Sequence, residues 1–266
     1  MPAPINLKTH EVKDLSGVEE VGYDQKGKKR QSITYHLYTL YLFTASDFKT
    51  VIFPQSVFAL AFVLSQSQMR GQPCFSDIGY RLPHMAIWLW LHLLIEDISN
   101  QRMPESITED EINKPWRPIS SKRLNPAEAK NILRIGIILA MGLSLSLGNF
   151  VPSVTLMAMI WQYNDLDGSN GAWRRNILTA AGLGCFSWGA VVALSTAPLR
   201  PENEELLRNW ILLSSVVILT TIQVQDFPDT AGDIARGRST MPLIYGETWS
   251  RWMTATFILL WSIGPF

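Results

Sequence analysis

Asp226, Asp229 and Asp233 stand at i, i+3 and i+7 directly after a charge-free apolar stretch, with Arg236 and Arg238 close behind. On a helix this spacing sets all three carboxylates along one face. Carboxylates held so close repel one another, and a divalent cation relieves the repulsion; arginines beside them supply donors for phosphate oxygens. The chemistry to expect is the grip of a diphosphate through Mg²⁺, at the point where a membrane helix leaves the bilayer.

A second polar segment repeats this chemistry. Asp97, Asn100 and Gln101 lie at i, i+3 and i+4 and offer hard oxygen donors of the kind Mg²⁺ prefers. Glu109 and Asp110 follow, and then the cations Lys114, Arg117, Lys122 and Arg123. One acidic loop beside a bilayer is most simply a solvated interface. Two such loops, each with oxygen donors and bases, point instead to one shared site.

The elements that must position these residues are apolar helices. With 266 residues, no net charge and 47% hydrophobic content, the chain fits a membrane protein and lacks the basic excess of a nucleic-acid binder. Cys74 and Cys185 form neither a disulfide framework nor a zinc spacing. Residues 1–49 are polar, mix both charge signs and contain no apolar signal segment, so they are expected to form a flexible cytosolic tail. Residues 50–266 then form the transmembrane domain.

About seven spans are predicted: 50–69, 82–95, 132–148, 151–164, 176–197, 209–225 and 252 to the last residue. The charge-free run from Ile135 to Asn164 is too long for one crossing and is broken at Gly148-Asn149-Phe150-Val151-Pro152, a turn-forming sequence. The fold class is therefore all-α, a multi-span transmembrane bundle. Four crossings separate the two polar loops, so both emerge on one side. Only Arg70, Arg81, Arg200 and Arg208 fall on the other side, and the positive-inside rule makes the loop side cytosolic.

At these residues the chain resembles the UbiA superfamily of intramembrane prenyltransferases. Asp226, Asp229 and Asp233 match the whole of the family's second D-x-x-D-x-x-x-D motif, and Gly237-Arg238-Ser239-Thr240-Met241-Pro242 is similar to its G-x-x-T-L-P. The first motif, N-D-x-x-D-x-x-x-D, departs: Glu96 replaces asparagine, Asp97 matches, Asn100 replaces the middle aspartate, and Pro104 takes the place of the last. Asn113-Lys114-Pro115-Trp116-Arg117-Pro118-Ile119, with Trp161-Gln162-Tyr163-Asn164 and Trp173-Arg174-Arg175-Asn176, is similar to a fungal branch that includes membrane-bound terpene cyclases of secondary metabolism. The family has about nine helices and this chain stops within the seventh, so a C-terminally shortened member is expected.

The resemblance implies a Mg²⁺-dependent enzyme that ionises farnesyl or geranylgeranyl diphosphate in the bilayer. Asp97, Asp226, Asp229 and Asp233 would be catalytic, joined as metal ligands by Asn100, Gln101 and Asp110. Lys114, Arg117, Lys122, Arg123, Arg236 and Arg238 would bind the diphosphate. A terpene cyclase is the preferred reading, ahead of prenyl transfer to an aromatic acceptor. A transporter is disfavoured because the charges lie at span ends and not within spans; an inactive partner protein is a further alternative, raised by the weakened first motif. Trp88, Trp90, Trp161 and Trp188 could face a carbocation, although packing or interfacial anchoring is the commoner role. His84 and His92 are expected to pack.

Overall fold

The structure, a computed structural model, describes residues 31–69, 75–195 and 198–264. Its elements in order are α1 (Ile33–Thr44), a π-helical turn (Phe48–Ile52), α2 (Phe53–Met69), α3 (Phe75–Gln101), α4 (Pro104–Asn113), α5 (Pro126–Ser146), α6 (Phe150–Asn164), α7 (Ala172–Leu194), α8 (Pro201–Thr221), α9 (Asp226–Arg236), α10 (Met241–Tyr245) and α11 (Glu247–Ile263). Seven of these, α2, α3, α5, α6, α7, α8 and α11, overlap the ranges of the seven predicted spans, although fewer of them meet the length and hydropathy of a crossing. Four helical runs among the described residues are long and apolar enough to cross a membrane: Phe48–Gln66, Pro126–Ser146, Ala172–Leu194 and Pro201–Arg236. Arg70, Cys74 and residues 1–30 of the expected tail lie outside the described residues.

One part of the tail reading is corrected. Residues 33–44 form a helix, started by the Ser32 hydroxyl accepting from the Tyr35 N–H. Arg123 stacks over the Tyr35 ring at 4.1 Å and donates to the Thr39 hydroxyl at 3.1 Å, so α1 is bound to the segment that precedes α5.

The break between α5 and α6 forms as expected and has a clear cause. Gly148 takes a left-handed backbone with φ of 70°, a conformation that costs glycine little. Asn149 then donates its N–H to the Ser144 carbonyl at 2.7 Å and its side-chain amide to the Gly189 carbonyl of α7 at 2.8 Å. The turn is thereby fixed to the neighbouring helix.

α3 is the central helix and α7 packs along it. Trp88 of α3 is fully buried and donates its indole N–H to the hydroxyls of Ser144 and Ser153, which come from α5 and α6. Its ring lies against Gly189, where an added Cβ would stand only 2.0 Å from the indole. Gly189→Ala is expected to force the tryptophan off its rotamer and to destabilise the bundle by about 1–3 kcal/mol. Thermal unfolding of the detergent-solubilised protein measures this; an unchanged midpoint would mean that the helices separate without cost.

Candidate active site

The two polar loops meet. Pro104 occupies the first turn of α4, where its missing N–H is no loss, so the segment expected to be loop is helical and lies against α9. α9 ends at Gly237, whose φ of 75° reverses the chain and lets the Arg238 N–H bond back to the Asp233 carbonyl at 2.9 Å. That reversal returns the Arg238 guanidinium to Asp233, 3.2 Å away, and to Glu109 of α4, 3.4 Å away. Arg236 also pairs with Glu109, at 2.8 Å. Asn113 and Lys114 complete the seam by contacting Asp229.

A cavity of about 190 Å³ is lined by residues of both loops and of the bundle. Its charged and polar lining includes Asp47, Glu96, Asp97, Asn100, Glu109, Lys114, Arg117, Arg175, Asp229 and Arg238, and its apolar lining includes Leu93, Leu156, Ile160, Leu183 and Phe186. Along α3 and α7 the apolar residues lie farther from the loop ends than the charged ones: Leu93 precedes Glu96 and Asp97, and Leu183 and Phe186 follow Arg175. An amphiphile with an anionic head and a hydrocarbon tail matches that division.

Each acid of the second loop has a basic partner. Asp226 is almost fully buried against Arg175 at 2.6 Å, Asp229 faces Lys114 at 3.3 Å, and Asp233 faces Arg238. The mutual repulsion expected of these carboxylates is thus offset by bases from α7, from the first loop and from the second loop itself. Around Arg117 the order is reversed, and one buried guanidinium gathers Asp110 at 3.0 Å, Asp47 at 3.2 Å and Asp97 at 3.9 Å. Burial pushes the Asp110 carboxyl up to about 6, although Arg117 opposes the shift. Burial works against the Glu109 carboxylate too, yet Arg238 and Arg236 hold its pKa below the usual glutamate value.

Of the residues singled out by sequence, Asp97, Asn100, Asp229, Lys114, Arg117 and Arg238 line the cavity. Asp110, Asp226, Asp233 and Arg236 stand behind that wall, paired to groups in or beside it. Three residues are elsewhere. Gln101 spends its amide N–H on the Phe43 carbonyl of α1 at 2.9 Å and on Asp97, Arg123 holds α1, and Lys122 is exposed in a left-handed turn. Asp47, Tyr163 and Arg175 line the cavity without having been selected from sequence. Arg175 offered a signal, standing in the first turn of the span that begins on the loop side; Asp47 offered none, because its segment read as tail.

None of the four tryptophans lines the cavity. Trp88 is a buried packing residue and Trp161 is exposed at 57%, so the aromatic rings facing the interior are Phe186 and Tyr163. His92 packs as expected, stacked at 4.1 Å on Trp88 with its Nδ1 bonded to the Trp88 carbonyl.

A helical membrane fold with paired acidic and basic loops over a half-apolar cavity defines a class, and the sequence comparison agrees. Residues 84–266 match the UbiA prenyltransferase family, and the chain belongs to it. The chain is 31% identical to the fumagillin beta-trans-bergamotene synthase of Aspergillus fumigatus, over 86% of this chain and 73% of that one. It is 29% identical to the somaliensene A/B synthase of Streptomyces somaliensis, over 82% and 68%, and 27% identical to a diterpene cyclase of Hericium erinaceus, over 82% and 67%. Among solved structures, a digeranylgeranylglyceryl phosphate synthase shares the fold at a TM-score of 0.60 and 21% identity, over 84% of this chain and 74% of that one.

Proposed function

We propose that this protein is a terpene cyclase that ionises a prenyl diphosphate, farnesyl or geranylgeranyl, with its charged loops on the cytosolic side of the membrane. The observation that carries the reading is one cavity lined both by acids and bases of the two loops and by hydrocarbon side chains of the bundle.

The residues present suit a divalent cation. Asp97 Oδ2 is buried without a hydrogen-bond donor, and Asp229, Glu96 and Asn100 add oxygens to the same wall. Among the described residues no three His, Cys, Asp or Glu side chains converge as a ligand cluster. That sparse set suits Mg²⁺, which takes one or two carboxylates from protein and fills its remaining positions with phosphate and water. Mg²⁺ bound there would withdraw charge from the diphosphate oxygens as the allylic C–O bond breaks.

The protein's own groups do the rest. Lys114, Arg117, Arg175 and Arg238 in the cavity wall hold the diphosphate and stabilise the negative charge it gains. Heterolysis leaves pyrophosphate beside these bases and an allylic carbocation on the tail. Leu93, Leu156, Ile160 and Leu183 exclude water from that cation, while the Phe186 and Tyr163 rings offer π-electron density. With water excluded, an internal alkene of the chain attacks the cation and the cyclised cation gives up a proton to the released pyrophosphate, leaving a cyclic hydrocarbon.

The similarity to terpene synthases favours cyclisation over transfer. Membranes containing the protein are to be incubated with farnesyl and geranylgeranyl diphosphates, without acceptor, and extracted for mass spectrometry. Cyclic hydrocarbon is expected. Product formed only when an aromatic acceptor is added would make the protein a prenyltransferase, as a 26%-identical polyprenyl transferase of Hericium erinaceus is named.

A further inference from the structure

The last residue of α4 makes a contact that neither acidic motif contains. Asn113 donates its side-chain Nδ2–H to the Asp229 carbonyl at 3.0 Å and accepts the Gly232 N–H on Oδ1 at 3.2 Å. The two bonds use both ends of one amide, a combination that aspartate, lacking a donor, and leucine, lacking both, cannot reproduce. The approach is so close that an added Cβ at position 232 would stand 2.2 Å from Asn113 Nδ2. Beside it, Lys114 reaches the Asp229 carboxylate at 3.3 Å. Two consecutive residues of the first loop therefore hold Asp229 by main chain and side chain at once.

We propose that Asn113 is a positioning residue. Its amide sets the register of α9 on α4 and thereby places the Asp229 carboxylate in the cavity wall, with Gly232 as the small surface that admits it. The inference rests on the proposed diphosphate site, since Asp229 is the group being placed. Asn113 is not among the residues that line the cavity; it acts through the backbone that carries Asp229.

The test uses the full chain in detergent or nanodiscs and compares Asn113→Ala, Gly232→Ala and the double variant. Asn113→Ala is expected to raise the Mg²⁺ concentration for half-maximal turnover about tenfold, as loss of a group that orients a metal ligand does. A residue that only supported folding would reduce the yield of folded protein and leave the Mg²⁺ requirement of the remainder unchanged, which would overturn the proposal. Gly232→Ala is expected to act similarly, and the double variant to be no worse than the more damaging single one, because alanine at 113 removes the atoms that the new methyl group strikes. Losses that multiply would contradict the shared contact. Hydrogen–deuterium exchange across α9, read without substrate, is expected to be faster in Asn113→Ala than in wild type, and equal exchange would also overturn the proposal. Because exchange needs no turnover, a wild-type protein inactive on every diphosphate would reject the proposed function while the contact was still judged by exchange.

Discussion

Asp229→Ala is expected to reduce turnover by at least about 100-fold, the scale seen when a preorganised charge is removed from where reaction charge develops. Asp229 lines the cavity, accepts Lys114 on its side chain and is held through its carbonyl by Asn113, so its loss removes an oxygen from the wall and releases a cation. Asp233→Ala is expected to be as damaging by a different route. Asp233 is buried beside Arg238, and without it the ion pair left to the guanidinium among the described residues is the one with Glu109, which it shares with Arg236. An under-compensated buried cation is costly, so this variant loses stability together with activity, whereas Asp229→Ala keeps its melting temperature. Asp77→Ala is the control: Asp77 is exposed in the first turn of α3, at the far end of the bundle from both loops. Product formation per milligram of folded protein, measured beside the melting curve of each variant, checks all three, and equal activity in the three variants would dismiss the site.

Removal of divalent metal is expected to be equally severe. EDTA should stop turnover and added Mg²⁺ should restore it, because a diphosphate brought into the cavity also meets Asp47, Glu96, Asp97 and Asp229. Without a bridging dication those carboxylates repel the substrate that Lys114, Arg117, Arg175 and Arg238 attract. Substrate binding is therefore expected to weaken along with the chemical step, and titrating the diphosphate with and without EDTA separates the two effects. Turnover that continued in chelator would leave the bases alone as the catalytic groups.

The bundle was largely legible in sequence because charge-free runs of membrane length have few alternatives to helix once backbone groups must be satisfied internally. The break at Gly148-Asn149 was legible because a long apolar run needed a turn and only that segment could make one. Helical periodicity also put Asp97 and Asn100 on one helix face, and both line the same cavity as Asp229. It failed at Gln101, which follows Asp97 along the same face but lies one turn beyond the cavity, where the Phe43 carbonyl of α1 captures its amide. α1 has no Asp, Glu, Lys or Arg, but its 12 residues are too short to cross a bilayer and follow a polar leader, so its pattern does not separate it from the tail. The same shortness conceals Asp47, and it conceals the fact that Arg123 is engaged by α1 and not by the diphosphate site. Pairing was the other hidden layer. The spacing of Asp226, Asp229 and Asp233 announces mutual repulsion, but Arg175, Lys114 and Arg238, which relieve it, are contributed largely by other segments whose approach only the folded chain reveals.

Pyrophosphate released by the purified protein from farnesyl or geranylgeranyl diphosphate, with no acceptor present, reads the central claim most directly. Release that requires Mg²⁺, is accompanied by cyclic hydrocarbon and is lost in Asp229→Ala is the expected result. No release from either diphosphate, or release that Asp229→Ala leaves intact, would contradict it.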